Sequence, residues 1–410
     1  MDDQNKNLIL ASALSFVVIL VWFIFFPPEN TTPPADPAVA VSTETGTTAA
    51  VPPTVAQAPA TAMATTPTPA TATTVADAPR LTIDSTRLSG SISLLGGRID
   101  ELLLKDYRES LEPDSANVVL LSPIGSARPY YALYGWAAAG DLDAADVPGP
   151  LTVWSADGNT TLTDTTPVSL SWNNGKGLIF HRTISVDDGY MFTMAQSVEN
   201  TTGAPVRLAP YGIVARHGEP DGKKFFVLHE GVVRQNDTTL EEIKYKDMTE
   251  LDFVDREAAR AEVEQVEQDG WIGFTDKYWM TTLIGEPGQA FTSVAKYVAA
   301  ADIYQVETRL PVMTVEAGTT GAVETKLFAG AKEWETITHY EKSLGIKNFV
   351  DSIDWGMFFF FTKPIFWLLH TLNAMIGNMG WAIIALTVVI KLLVFPLAYK
   401  SYASMAKMKE

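Results

Sequence analysis

The stretch Trp381–Leu397, WAIIALTVVIKLLVFPL, decides the organisation of this chain because it is apolar apart from one lysine. With Met379–Gly380 before it and Ala398 after it, the run reaches the ~20 residues that a helix needs to cross the hydrocarbon of a bilayer. The cation, Lys391, lies in its second half, where a charge is costly and by default functional. Alternatively, its flexible stem lifts the ammonium group towards the cytoplasmic headgroups. The sequence therefore predicts a membrane span and leaves both interpretations of Lys391 open.

The overall composition excludes several classes of protein. The chain has 410 residues, 19% of them charged, and a formal net charge of −18, so a nucleic-acid-binding surface is not expected. It has no cysteine, which excludes disulfides, thiolate metal sites and cysteine nucleophiles. The sequence contains neither a phosphate-binding glycine loop nor a histidine spacing typical of metal sites. We therefore expect no metal and no cofactor, in a chain long enough for about two or three domains.

The segment Leu8–Phe26 is a second apolar run, LILASALSFVVILVWFIFF, without a charge. It exceeds the usual ~7–15 residues of a signal-peptide core, and the leader before it carries Asp2 and Asp3. We therefore expect an uncleaved span at 8–26 after a cytoplasmic segment at 1–7. Residues 27–79 are almost all Pro, Ala, Thr and Val and contain no Lys or Arg, which predicts a disordered, exported linker.

Residues 80–330 have the pattern of a β domain. Phe192, Met194 and Val198 share one parity, which is the period of a half-buried strand. Turn sequences recur between such runs, at 157–158, 173–175, 187–189, 202–203 and 221–222. We therefore predict an all-β sandwich over 80–330. The segment 255–268, DREAARAEVEQVEQ, is rich in helix formers and predicts an exposed helix or a charged excursion.

Two helical segments are predicted between the β domain and the span. Residues 331–354 form a polar helical connector, and 355–377 an amphipathic helix that Lys363 and His370 interrupt. We expect this helix to lie in the membrane interface, because only a short turn separates it from the span at 378–398. A further membrane crossing is the alternative.

The residues after the span predict its orientation. Tyr399, Lys400 and Lys407 form a cationic flank, so we expect 399–410 to begin a cytoplasmic helical region. Both ends of the chain then lie in the cytoplasm and the β domain lies outside. The sequence stops at Glu410 inside an apparent helix without a cap, which favours a C-terminal truncation.

Several motifs are specific enough to suggest a family. They are Ile376-Gly377-Asn378, Phe395-Pro396-Leu397, Tyr402-Ala403-Ser404-Met405-Ala406-Lys407-Met408, Gly96-Gly97-Arg98-Ile99 and Gly270–Tyr278. With the order of anchor, linker, β domain, interfacial helix and span, they resemble the YidC membrane protein insertases of Gram-negative bacteria, which have a large periplasmic domain. The resemblance covers the whole chain, although the linker matches only in type.

The resemblance implies an inner-membrane insertase and chaperone without a cofactor or a chemical reaction. Its partners would be nascent or inserting membrane proteins, the lipid bilayer, the Sec translocon and the ribosome. It also implies a periplasmic β super-sandwich, similar in shape to sugar mutarotases, and a core of five helices around a hydrophilic groove, of which this chain carries only the first. The family's groove arginine falls at Lys391, where lysine keeps the charge but loses the planar, multi-donor fork.

Other candidate site residues lie near Lys391 and beyond it. Thr387 is one turn earlier on the same face and would extend a polar stripe, although such a threonine more often bonds its own backbone. The cytoplasmic motif is a candidate for client contact, with an amphipathic helix on the membrane surface as the alternative. Its candidate residues are Tyr402, Met405, Lys407 and Met408.

A second hypothesis makes the protein a membrane-anchored periplasmic carbohydrate-binding or mutarotase-like β domain. Residues 216–219, Arg-His-Gly-Glu, and His229–Glu230 contain groups that a sugar epimerase would use as acid and base. We expect these groups to be ordinary loop or surface residues, and Trp271, Tyr278 and Trp279 to lie in the core. An anchor needs neither the intramembrane lysine nor the cytoplasmic motif, so the insertase is favoured.

Overall fold

Alternating burial along the strands follows the alternation of apolar residues in the sequence. In the strand Met191–Asn200, Phe192, Met194 and Val198 are fully buried whereas Thr193, Ala195 and Ser197 are half-buried, as the parity of the sequence predicts. The computed structural model describes residues 78–112, 114–220, 229–356 and 358–407. The predicted span at 8–26 and nearly all of the predicted linker lie outside the described residues.

Two sheets account for the strands of the described residues. The larger consists of β1 (Arg80–Asp84), β2 (Leu88–Ser93), β3 (Arg98–Arg108), β4 (Asn117–Leu121), β5 (Tyr130–Ala139), β7 (Thr161–Leu162), β11 (Val206–His217), β14 (Phe253–Val254), β15 (Ala259–Val266), β18 (Phe291–Val298), β19 (Ile303–Arg309) and β20 (Met313–Val315). The smaller consists of β6 (Ser155–Asp157), β8 (Val168–Asn173), β9 (Leu178–Val186), β10 (Met191–Asn200), β12 (Gly231–Asn236), β13 (Thr239–Lys244), β16 (Gly270–Thr275), β17 (Trp279–Ile284) and β21 (Thr320–Ala331).

The strand order makes each sheet from distant parts of the chain. The larger sheet runs β14-β15-β18-β19-β11-β5-β3-β2-β1-β7, with β20 beside β11 and β4 beside β3. The smaller runs β13-β12-β16-β17-β21-β10-β9-β8-β6. The named strands pair antiparallel except β1 with β7. The main apolar core contains buried residues of both sheets, so the domain is the predicted sandwich.

A buried arginine joins the two sheets at one point in the core. Arg182 of β9 donates from Nη2 to the carbonyl of Tyr134 at 2.6 Å and from Nη1 to that of Gly97 at 3.1 Å. Its guanidinium lies 4.5 Å from the ring centroid of Trp154. Burial lowers the pKa of Arg182 to about 10. Backbone carbonyls and an aromatic face thus stabilise a cation in the interior.

A second buried arginine lies where the edges of the two sheets meet. Arg234 of β12 is fully buried and forms ion pairs with Glu241 of β13 and Glu262 of β15. The two carboxylates come from different sheets. The ion pairs therefore connect the sheets at this edge, opposite the end that carries β1 and β7.

The charged segment 255–268 does not form the predicted helix. A single 3₁₀ turn, Asp255–Glu257, is followed by strand β15. Ala259 and Ala261 are buried at strand spacing, and β15 pairs with β18 from Arg260 to Val266. Sheet pairing therefore outweighs the helix propensity of the intervening Glu and Arg residues.

Four α-helices lie in the described part of the chain. They are α1 (Tyr245–Met248), α2 (Trp334–Leu344), α3 (Phe359–Ile376) and α4 (Met379–Lys407), with further 3₁₀ turns at Ala144–Asp146 and Phe349–Ser352. Helix α2 buries Ile337 and Tyr340 in the core of the β domain. The Tyr340 hydroxyl donates to Asp187 at 2.7 Å and accepts from the amide of Tyr190 at 2.9 Å. The predicted connector is thus in part a component of the domain.

Candidate functional site

A tight turn joins α3 and α4. Gly377 ends α3 in the left-handed region, with φ of 72°, and its amide donates to the carbonyl of Asn373 at 2.8 Å. The Asn378 side chain accepts from the amide of Trp381 at 3.2 Å, and its carbonyl accepts from Ala382 at 3.0 Å. Asn378 therefore caps α4, and the Ile376-Gly377-Asn378 motif ends one helix and begins the next.

Helix α4 continues past the apolar stretch Trp381–Leu397. Its 29 residues have a length of about 43 Å at ~1.5 Å per residue, more than the hydrocarbon of a bilayer. Among the described residues, Met379–Met405 is the helical segment that is long and apolar enough to cross a membrane. The predicted span and the predicted start of the cytoplasmic region are therefore one continuous helix.

Lys391 faces away from the neighbouring helix. Helix α3 packs against α4, where Ala382 and Leu386, one turn apart, are buried. Lys391 is exposed, and its nine-residue separation from Ala382 corresponds to a rotation of about 180° around the helix. It also lies ten residues after Trp381, or about 15 Å along the axis, near the middle of a bilayer's hydrocarbon.

The polar groups around Lys391 differ from the predicted stripe. The Thr387 hydroxyl donates to the carbonyl of Ile383 at 2.9 Å, so its proton is used by its own helix. A polar group that the sequence analysis did not name is the carbonyl of Leu392. Pro396, four residues later in the helix, has no N–H to donate to that carbonyl. The sequence feature that could have predicted this free carbonyl is Pro396 within the apolar stretch.

The candidate client-contact residues lie on the last turns of α4. Tyr402 and Met405 are 71% and 49% exposed and are three residues apart, so they lie on neighbouring positions of one face. The helix ends at Lys407, and Met408 lies outside the described residues. The structure thus brings Tyr402 and Met405 together, about three and four turns from Lys391 respectively.

Polar contacts connect α3 to the β domain. His370 Nε2 lies 2.9 Å from Glu335 Oε1, and the His370 ring packs 4.7 Å from that of Trp334 in α2. Two helical turns nearer the N-terminus of α3, Lys363 forms an ion pair with Asp351 of the 3₁₀ turn Phe349–Ser352. We call these two contacts the α2–α3 latch. The polar residues that interrupt the amphipathic pattern of α3 therefore face the domain.

The opposite surface of α3 is strongly apolar. Phe361, Ile365 and Met375 are 60%, 39% and 79% exposed. Exposed large apolar and aromatic side chains of this kind are typical of a helix at a membrane interface.

The charged residues of the β domain do not lie where they were expected. Arg216 is largely buried and forms a bidentate pair with Asp276 at 2.8 and 2.9 Å. His229 is buried, and its Nε2 lies 2.8 Å from the carbonyl of Val232. The expectation of surface residues is therefore wrong for both. Because these groups are engaged with structural partners, their arrangement does not present a free acid and base to a substrate.

The aromatic residues of the Gly270–Tyr278 motif and its neighbour divide between core and surface. Trp271 is buried, and its indole donates to the carbonyl of Lys347 at 3.0 Å. Trp279 is half-buried and packs edge-on against Tyr107 at 5.0 Å. Tyr278, however, is 57% exposed, so its prediction as a core residue is wrong.

Among the described residues, no group of three or more carboxylates and histidines is placed so that it could bind a metal ion. What the described residues do combine is a folded β domain, a latched amphipathic helix and a long apolar helix with a central lysine. Together they are typical of a membrane protein with a mostly β domain outside the bilayer.

Comparisons with known proteins identify the family. Residues 80–368 match the model for the YidC periplasmic domain, and residues 371–410 match that for the 60Kd inner membrane protein. The chain is 63% identical over 411 residues to the membrane protein insertase YidC of Dinoroseobacter shibae, covering all of this chain and 68% of that protein. It is 59% identical over 416 residues to that of Ruegeria pomeroyi, with the same coverage. The chain belongs to the YidC family of membrane protein insertases.

This membership confirms the insertase hypothesis over the carbohydrate-binding alternative and makes the protein a non-enzymatic membrane component with a periplasmic domain. Solved structures similar to part of the chain include a galactose mutarotase related enzyme from Lactobacillus acidophilus. That similarity has a TM-score of 0.39 at 10% identity, over 61% of this chain and 97% of the other. A similarity at this level supports no statement about ligand or activity.

Proposed function

We propose that Lys391 is the cation of a hydrated cleft that receives polar or acidic parts of inserting membrane proteins. The observation that carries this proposal is its place on α4. Lys391 lies near the middle of the apolar helix and faces away from α3. Further helices of a bundle would pack on the face of α4 that carries Lys391. The carbonyl of Leu392, without a donor from Pro396, is a second polar group for the same cleft.

The energetic role of the cation is to reduce the cost of carrying charge into the bilayer. A charged residue at the centre of a span costs about 2.5–3.5 kcal/mol on insertion scales. A wet cleft with a fixed positive charge offers an acidic client group a hydrated site and a counter-ion before its helix enters lipid. Apolar burial then drives the client helix sideways into the bilayer without a nucleotide.

We also propose the orientation and partners implied by the resemblance. Residues 1–7 and 399–410 lie in the cytoplasm, 8–26 and 378–398 cross the inner membrane, and the β domain is periplasmic. Helix α3 lies in the interface, which its exposed apolar surface and its polar latch face support. The Sec translocon and the ribosome are further proposed partners, with Tyr402 and Met405 at the cytoplasmic end available for client contact.

The first prediction concerns the charge of Lys391. In cells depleted of the native insertase and supplied with the full-length insertase that contains this chain, Lys391→Arg should sustain insertion of a small inner-membrane protein, because the positive charge is kept. Lys391→Ala should slow insertion by about tenfold, equivalent to about 1.4 kcal/mol of the barrier. Protease protection of the client measures insertion, after the variants are shown to be present in equal amounts.

The matched control is Lys400→Ala, which removes a lysine from the cytoplasmic end of the same helix. Insertion should remain near the wild-type rate because this residue lies outside the proposed cleft. If Lys391→Ala and Lys391→Arg insert the client equally well, Lys391 serves only to reach the headgroups, and the proposal fails.

A further inference from the structure

The edge of the larger sheet is uncovered along part of β15. The terminal strand β14 has two residues and pairs only with Ala259 and Arg260. The next residue, Ala261, donates its amide to the carbonyl of Asp252 at 3.0 Å. At the other end of the strand, the amides of Glu267 and Gln268 donate to Asp237, each at 2.9 Å. The edge is therefore open between these two closed ends.

The open part presents backbone hydrogen-bonding groups in strand geometry. The Ala261 amide points away from β18, and backbone groups alternate in direction along a strand, so those of Val263 and Gln265 point outward too. Within the described residues, neither of these two amides has a hydrogen-bond partner. Such a row of unpaired N–H and C=O groups is a template for one more strand.

A cavity lies directly beside this edge, on the outer face of the sheet. It has a volume of about 420 Å³, within the usual range for ligand sites. Val263 and Gln265 line it at the open edge, and Phe291, Leu310 and Val312 provide much of its apolar surface. Arg309 and Glu257 in the cavity wall form an ion pair with each other, in which Arg309 donates to both carboxylate oxygens of Glu257 at 2.7 and 2.5 Å.

We infer that the open edge of β15 and this cavity bind an extended, apolar, exported segment of a client protein as an added strand. In such a complex the backbone pairs with Val263 and Gln265, and every second side chain of the segment points towards the cavity face. Glu264 and Glu267 flank the edge and disfavour an acidic segment. Exported client segments emerge on the side of the membrane where a periplasmic domain lies.

The chain's own linker is a less suitable occupant. It enters the domain at β1, which lies seven strands from β15 in the sheet order. At ~4.8 Å between neighbouring strands, that separation is about 34 Å, which about ten extended residues can span. The prolines of residues 27–79, which have no amide N–H to pair with a strand, make the linker a poor added strand. The inference rests on the proposed function only for the choice of a client as occupant, since binding is measured without insertion.

The test measures binding of a fluorescent peptide of alternating valine and threonine, with a lysine at each end, to the purified chain in detergent. Two further versions of the peptide carry N-methyl groups on every second amide. In one version these amides point to one side of the bound strand, and in the other version they point to the opposite side. One version should lose affinity by about tenfold, the effect of removing backbone hydrogen bonds, whereas the other should bind like the parent peptide. Because the protein is unchanged in this comparison, a folding defect cannot produce the difference.

A protein variant provides the second arm. Val263→Pro removes the outward amide without removing a bond to β18, and should weaken binding by about tenfold, whereas Val263→Ala keeps the amide and should bind within about twofold. Equal effects of the two N-methylated peptides, or equal binding by both variants, would overturn the inference. A photo-crosslinker at Gln265 in cells should join a radiolabelled inserting client. Crosslinks only to residues 27–77 or to a Sec subunit would overturn the client assignment.

Discussion

Gly97 shows how one residue couples distant parts of the domain. Its φ of +61° is in the left-handed region, and a Cβ there would collide with Nη1 of Arg182. The glycine therefore lets a turn of the larger sheet approach a buried cation from the smaller one. Gly96-Gly97-Arg98-Ile99 is recognisable in the sequence as a family motif. The reason for the glycine at position 97 is not, because its contact partner, Arg182, lies 85 residues away.

Gly97→Ala should destabilise the protein by about 3 kcal/mol, from backbone strain and displacement of Arg182 together. Gly158→Ala is the matched control: Gly158 also has a positive φ, of +89°, but open space around its Cβ position. That variant should lose only about 1 kcal/mol. Urea unfolding followed by tryptophan fluorescence measures both changes, and equal losses would show that the collision with Arg182 is unimportant.

At the scale of elements, Glu333 fixes the beginning of α2 to the larger sheet. Arg87 donates to its carboxylate at 2.5 and 2.9 Å, the Tyr107 hydroxyl at 2.5 Å and the Thr336 hydroxyl at 2.7 Å. Burial alone would raise the pKa of Glu333, but these hydrogen bonds, with that of Arg87 the largest, lower it to about 2 from 4.5.

This pKa shift gives stability a defined pH dependence. Because the folded-state pKa is lower than the unfolded value, the contribution of Glu333 is complete above pH 4.5 and is lost as the pH falls towards about 2. Glu333→Gln should therefore cost about 2 kcal/mol at neutral pH. Urea unfolding at several pH values should show the difference from wild type shrinking in this interval.

Glu316→Gln is the control for this prediction, since Glu316 is exposed at the end of a strand. It should change stability by less than about 0.5 kcal/mol at any pH. A Glu333 effect that stayed constant from neutral pH to about pH 2 would show that the carboxylate charge does not contribute.

The elements that the sequence predicted well are those with an uninterrupted period. Strand β10 and helix α4 follow directly from the spacing and the number of their apolar residues. Strand β15 was missed because its Glu-rich composition favours a helix, and its pairing with β18 is not visible locally. The burial of Arg216 was missed for the same reason, since its partner Asp276 lies 60 residues away.

At the scale of the whole molecule, the proposed topology can be tested with single cysteines, because the 410-residue sequence contains none. A membrane-impermeant maleimide should label Tyr278→Cys, at an exposed position of the β domain, in cells with a permeable outer membrane. Tyr402→Cys on α4 and Gln4→Cys near the N-terminus should react only after the inner membrane is opened. The unsubstituted chain is the control.

Two labelling patterns would contradict the topology. Labelling of Gln4→Cys in intact cells would leave a single crossing by α4 and refute the multi-pass proposal. Labelling of Tyr402→Cys before Tyr278→Cys would place the β domain in the cytoplasm, against the match of residues 80–368 to a periplasmic domain.

The α2–α3 latch has a mechanical consequence. Lys363 and His370 are seven residues apart, so α3 is fixed to the domain at two points about 10 Å apart along its axis. Both contacts resist rotation of α3 about that axis, and the turn to α4 is only two residues long. We therefore expect rocking of the β domain over the bilayer surface to change the tilt of the helix that carries Lys391.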